Sequence, residues 1–144
     1  GEFRPGRMAA IMGPSGAGKT TLLNVLSGKV RKGDWEVSGT VLVNGEEKDV
    51  EELKPVMGFV PQDDIVHELL TVRENIFFSA QLRCAAGTTK KQLNHITEDV
   101  LKVLQLEAQQ NIKVGNRATG AGGLSGGQRK RVNIGLELAA CPTL

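Results

Sequence analysis

Gly13-Pro14-Ser15-Gly16-Ala17-Gly18-Lys19-Thr20 is the stretch on which the fold class turns. It satisfies the spacing G-x-x-x-x-G-K-[ST], and each fixed position has a physical reason. Glycines let the backbone wrap closely around a phosphate and turn successive N–H groups inward as a nest. A helix beginning near Lys19 adds its positive dipole end to the same point. Lys19 is placed to reach the β- and γ-phosphates of a bound nucleotide, and the Thr20 hydroxyl to hold Mg²⁺. Kinases, GTPases, helicases and transporters share this loop, so it predicts nucleotide binding and leaves the reaction open.

The flanks agree with that reading. Residues 8–12 (MAAIM) form a short apolar run ending at Gly13, the pattern of a buried strand entering a turn. Beyond Lys19, Leu22, Leu23 and Leu26 recur at helical spacing, and Gly28 falls just past the last turn. Residues 40–43 read as a strand closed by Asn44-Gly45, a tight-turn signal, and residues 56–60 as another short strand before Pro61. Thr71 and Glu74 make a capping box for a helix to about Arg83, and residues 85–88 a loop. Thr89 and Gln92 open a second helix, with Leu93, Ile96, Val100 and Leu104 on one face. Residues 116–123 are Gly-rich and aperiodic, and Ser125 with Gln128 opens a third helix to about Ala140. Strands alternating with helices predict an α/β layer structure, interrupted from about residue 71 by a helical stretch.

Composition narrows the function. The 144 residues suit one domain or most of one, with 40% hydrophobic residues but only 3% aromatic and no Tyr, so aliphatic side chains must fill the core. A net charge of +2 gives no basis for a nucleic-acid partner, which calls for a concentrated positive face. Cys84 and Cys141 lack metal-ligand spacing and read as free thiols in a reducing cytosol. No stretch reaches the roughly 18 apolar residues that span a bilayer.

Leu124-Ser125-Gly126-Gly127-Gln128 is a second glycine turn ahead of a helix. Alone it is explained equally by N-capping or by a second anion site. Joined to the first motif, LSGGQ resembles the signature of ABC ATPases. That resemblance implies a P-loop NTPase (RecA-like) core with a helical signature subdomain, divided as residues 1–70, carrying the P-loop and Q-loop, and 71–140, carrying the signature. It implies ATP and Mg²⁺ as ligands. The nucleotide contacts would come from Gly13, Pro14, Ser15, Gly16, Ala17, Gly18, Lys19, Thr20 and Thr21. On the far side, Leu124, Ser125, Gly126, Gly127 and Gln128 would cover the nucleotide of a second nucleotide-binding domain, arranged head to tail as a homo- or heterodimer. Gln62, in Val60-Pro61-Gln62, resembles the Q-loop glutamine; with Thr20 it would be a metal contact, and with Lys19 it would support catalysis.

Three stretches resemble the G subfamily, the White and pleiotropic-drug-resistance group. They are PQDDIVHELLTVRENIFFSAQLR (61–83), GLSGGQRKRVNIGLELAACP (123–142) and, less exclusively, MGPSGAGKTTLLNVLSG (12–28). Gln128 departs from the Glu of many members but keeps the capping role. The resemblance implies a transmembrane partner domain and a place on the cytoplasmic face of a membrane, where ATP hydrolysis powers transport of a hydrophobic or lipid-like substrate. A soluble ABC ATPase of translation or DNA maintenance is the alternative, although about 100 residues without sustained heptads separate the two motifs. By the same resemblance the core is incomplete at the C-terminus, with the Walker B aspartate and catalytic glutamate expected after residue 144. These residues alone are then expected to hydrolyse ATP negligibly and to aggregate. His67 and His95 are in the wrong positions for the switch histidine. Asp63 and Asp64, adjacent in extended chain, point apart and read as loop residues rather than a metal pair. Arg129, Lys130 and Arg131 read as a solvated or intersubunit face.

Overall fold

In the computed structural model the described residues are 1–30, 36, 38–115 and 123–141. Most of the Gly-rich stretch 116–123 therefore lies outside them. The chain divides into two units, Gly1–Pro55 and Val56–Leu144.

The first unit holds helix α1 (Lys19–Leu26), strands β1 (Leu42–Val43) and β2 (Glu46–Glu47), and helix α2 (Val50–Leu53), followed by a 3₁₀ turn over Lys54–Val56. Gly28 ends α1 as its position predicts. Its φ is 63°, Gly28 N–H donates to Val25 O at 3.1 Å and Lys29 N–H to Asn24 O at 2.8 Å, a Schellman motif. A Cβ at Gly28 would lie 2.9 Å from Lys54 Cε and 3.5 Å from Val50 Cγ1, so the glycine also admits α2. The antiparallel pair β1–β2 turns at Asn44-Gly45, whose φ values of 54° and 84° are those of a type I′ turn. Asp49 caps α2 by accepting from Glu51 N–H at 3.0 Å.

Two expected strands are not formed. Residues 8–12 and 57–60 are neither strand nor helix, and Met8 and Met12 are exposed. An apolar run becomes a strand only when a neighbour completes its ladder. Among the described residues the β1–β2 hairpin is the sheet that exists. Phe59 N–H donates instead to a side chain, Glu137 Oε2, at 3.2 Å.

The second unit carries the core. Helices α3 (Val72–Arg83), α4 (Lys90–Val103) and α5 (Gly126–Leu138) pack around Val72, Ile76, Ala80, Leu93, Val100, Leu101, Leu106, Val114, Leu124, Val132 and Ala139. The α4 face expected from spacing is the one used: Leu93 and Val100 are buried, and Ile96 and Leu104 pack beside them. Gly135 lets the helices approach closely. A Cβ there would lie 3.1 Å from Leu104 Cδ1 and 3.3 Å from both Ile76 Cδ1 and Val100 Cγ1. Buried Asn75 closes the loop before α3, accepting from His67 N–H at 2.9 Å and donating to the His67 and Thr71 carbonyls.

All three capping boxes form, at Thr71/Glu74, Thr89/Gln92 and Ser125/Gln128. The Thr71 N–H and hydroxyl hold the Glu74 carboxyl below the ordinary carboxylate range. A folded pKa below the unfolded one contributes stability above the unfolded value, and that share is lost as pH falls through the folded pKa. Glu74→Gln keeps a capping side chain without a titrating group. Its α3 is expected to show a flatter acid limb than wild type in amide exchange measured from neutral pH down through the carboxylate range. Identical limbs would refute the assignment.

Candidate functional site

The loop of residues 13–20 lies wholly in the first unit. Gly16 and Gly18 have φ of 82° and 84°. Alternation of such residues about Ala17 turns amides to one side, which side chains with a Cβ resist. Ala17 N–H closes a turn on Pro14 O at 3.3 Å, and Leu22 N–H starts the helical ladder on Gly18 O at 2.9 Å. Gly18 caps α1 without a side-chain bond, and no acidic residue stands in the first turn. The amides of the first turn, orphaned by helix geometry, thus face no protein carboxylate of their own helix.

Lys19 lies across this loop. Its Nζ donates to Gly13 O at 2.9 Å and Pro14 O at 2.7 Å, and it forms no ion pair among the described residues. Gly13, Pro14, Ser15, Gly16, Ala17, Gly18, Thr20 and Thr21 are exposed around it. Orphan amides, an ammonium and a hydroxyl form a donor set that fits an anionic phosphate chain.

The signature turn opens α5 in the second unit. Leu124 is buried and anchors it, its N–H donating to Val114 O at 3.2 Å. Ser125 Oγ accepts from Gln128 N–H at 3.3 Å, and Gln128 Oε1 from Ser125 N–H at 2.9 Å. Gly126 and Gly127 follow at the head of the helix, and a Cβ on Gly127 would meet nothing within 4 Å. Packing and backbone angle leave Gly127 unexplained, even though glycine inside a helix costs about 0.5–1 kcal/mol relative to alanine.

Gln62 is exposed, and α5 holds its segment. Lys130 Nζ donates to the carbonyls of Pro61 at 3.1 Å and Gln62 at 2.8 Å. Asn133, fully buried, accepts from Ile65 N–H at 3.1 Å and donates to Asp64 Oδ1 at 2.5 Å. Asp64 Oδ2 is 3.6 Å from Arg129 Nε. Asp63 is exposed beside it.

The basic triplet is therefore not a solvated face. Arg129 is buried, bonded to Gly115 O and 3.9 Å from Glu68. Lys130 binds the Gln62 segment, and Arg131 reaches Leu104 O at 3.2 Å. Consecutive helical residues point about 100° apart, so three adjacent cations serve three directions. Sequence reasoning missed Lys130, Asn133 and Glu137 as holders of this segment. Their i, i+3, i+7 spacing, one polar stripe along α5, is the signal that could have found them.

The remaining candidates stand apart. His95 pairs with Asp99 at 3.5 Å on the surface of α4. Cys84 and Cys141 are free of disulfides; burial, with Cys141 adding to it, pushes the Cys84 thiol up, and its Sγ donates to Ala139 O at 3.5 Å.

The family described as "ABC transporter" matches residues 1–144. The chain belongs to that family. ABC transporter G family member 25 of Oryza sativa subsp. japonica is 47% identical over 144 residues, all of this chain and 14% of the relative. ABC transporter G family member 28 of Arabidopsis thaliana is 46% identical over the same length, 13% of that protein. ABC transporter G family member 22 of Dictyostelium discoideum is 38% identical over 147 residues, all of this chain and 23% of that relative. The chain thus spans under a quarter of each of these curated relatives. Their names agree with the G-subfamily resemblance of the three stretches, and the soluble alternative gains no support from them. Family membership carries the P-loop NTPase fold class with it; the strand layer of such a core is not seen among the described residues, where the sheet has two strands.

Proposed function

We propose that this chain binds ATP with Mg²⁺ and that, in a complete dimeric domain, ATP hydrolysis powers transmembrane transport of a hydrophobic or lipid-like substrate. The carrying observation is the loop at residues 13–20, which gathers two left-handed glycines, the first-turn amides of α1 and the Lys19 ammonium within eight residues. Gly13 to Thr21 bind the phosphates, and Thr20 and Gln62 are the protein's contacts to Mg²⁺. When bound, the ion neutralises phosphate charge. Lys19 and Gln62 support hydrolysis.

Leu124, Ser125, Gly126, Gly127 and Gln128 contact the nucleotide of a second such domain, head to tail. Support comes from Gly127, which has no internal reason to lack a side chain; close approach by another molecule supplies one. In this reading residues 1–70 serve the core and 71–140 the helical subdomain, and the domain faces the cytoplasm against its transporter's membrane part. No helix among the described residues is long and apolar enough to cross a membrane.

Titration calorimetry on the full-length protein should register Mg-ATP binding. Sedimentation of a hydrolysis-deficient variant should show association of the nucleotide-binding domains at saturating ATP. Absence of binding heat refutes the nucleotide assignment; binding without association refutes the role given to the signature.

A further inference from the structure

The segment before Gln62 is placed by side chains. Phe59 N–H donates to Glu137 Oε2 at 3.2 Å, and the same carboxylate receives both arms of Arg83, Nη1 to Oε1 at 2.8 Å and Nη2 to Oε2 at 2.9 Å. Arg83 ends α3, and Glu137 stands in the last turn of α5. Ser79 Oγ adds a bond to the neighbouring Leu136 carbonyl at 2.7 Å, one of the acceptors that helix geometry leaves for outside donors. The Glu137 side chain is only 13% exposed, so its bonds compete little with water. The forked pair fixes the plane of the carboxylate, which in turn fixes where Oε2 meets the Phe59 amide.

We propose that Glu137 is a positioning residue for Gln62. It fixes the chain three residues before the glutamine, while Lys130 fixes the carbonyls of Pro61 and of Gln62 itself. Anchored at both ends, the short run 59–62 has little freedom to swing, which fixes where the Gln62 side chain leaves the backbone. Arg83 acts one step further out, holding the carboxylate. The inference rests on the assignment of Gln62 to the hydrolytic site made above.

The test is ATPase kinetics on the full-length transporter. Glu137→Leu removes the acceptor and the ion pair together, and kcat should fall about tenfold, since small displacements of positioned groups carry costs of that size. The KM for ATP should stay within about twofold, because the phosphate loop is untouched. Glu137→Gln keeps an oxygen for the Phe59 amide while giving up the ion pair, and it should lose less than about threefold in kcat. Both variants should lower the unfolding midpoint, since each gives up the pair with Arg83. An unchanged kcat in Glu137→Leu overturns the proposal. So does a kcat loss in Glu137→Gln as large as in Glu137→Leu, which would make the carboxylate a mere strut between α3 and α5. Should Glu137→Leu not fold, Lys130→Met reads the other anchor, with the same kcat loss expected at constant KM and an unchanged kcat overturning the idea. Calorimetry on the same proteins separates the two levels of argument. A wild-type protein without Mg-ATP binding overturns the function itself, whereas intact binding with unaltered kcat overturns only this inference.

Discussion

Lys19→Ala in the full-length protein is expected to weaken Mg-ATP binding by about tenfold to a hundredfold while leaving the unfolding midpoint within a degree or two of wild type. The affinity figure follows from one charge-assisted bond of roughly 1.5–3 kcal/mol, at about 1.4 kcal/mol per decade. The lower end is the safer expectation. In the structure the ammonium already bonds to the carbonyls of Gly13 and Pro14, and it must exchange those partners for phosphate oxygens. The stability side follows from exposure: both bonds lie at the surface, and alanine is the best helix former at the first position of α1. Calorimetry for the affinity and a thermal melt for the midpoint decide it. Equal affinities in the two proteins would show that Lys19 does not hold the nucleotide.

The second large effect is an asymmetry. Asp64→Ala is expected to destabilise the helical unit by about 3 kcal/mol, and Arg129→Met by only about 1 kcal/mol. The Arg129 side chain is 7% exposed and that of Asp64 33%. Deleting the carboxylate leaves a buried guanidinium with the more distant Glu68 and the Gly115 carbonyl. Arg129 Nε, already without a hydrogen-bond partner among the described residues, then loses its nearby charge as well. The buried Asn133 Nδ2 also loses its Asp64 acceptor. Deleting the arginine has milder consequences, because Asp64 and Glu68 both reach water and methionine replaces the apolar stem. Denaturant midpoints of the two variants measure the difference, and equal or reversed costs would contradict the placement of the charges.

What could be read from the sequence was local. Each capping box is complete within four residues, Asn44-Gly45 forces its own turn, and Gly28 sits two residues past the helix it ends. The conformation of residues 13–20 belongs to this class, since its glycine angles and its lysine fall within eight consecutive positions. The reading failed where a partner lies far along the chain. Residues 8–12 and 56–60 have the composition of strands, but composition does not supply the neighbouring strand. The second run gives its Phe59 amide to a residue 78 positions away. Arg129 misled for a related reason. A charged triplet reads as a solvated face until its acid partners are known, and Asp64 and Glu68 lie more than 60 positions earlier.

Rungs made by side chains differ from rungs made by backbone in one respect that bears on how such a protein changes over generations. A sheet ladder is nearly blind to residue identity, proline excepted, so few single codon changes alter its grip. The run from Phe59 to Ile65 is gripped by Glu137, Lys130 and Asn133, each encoded by one codon. Mutation can therefore loosen or tighten the seat of Gln62 one rung at a time.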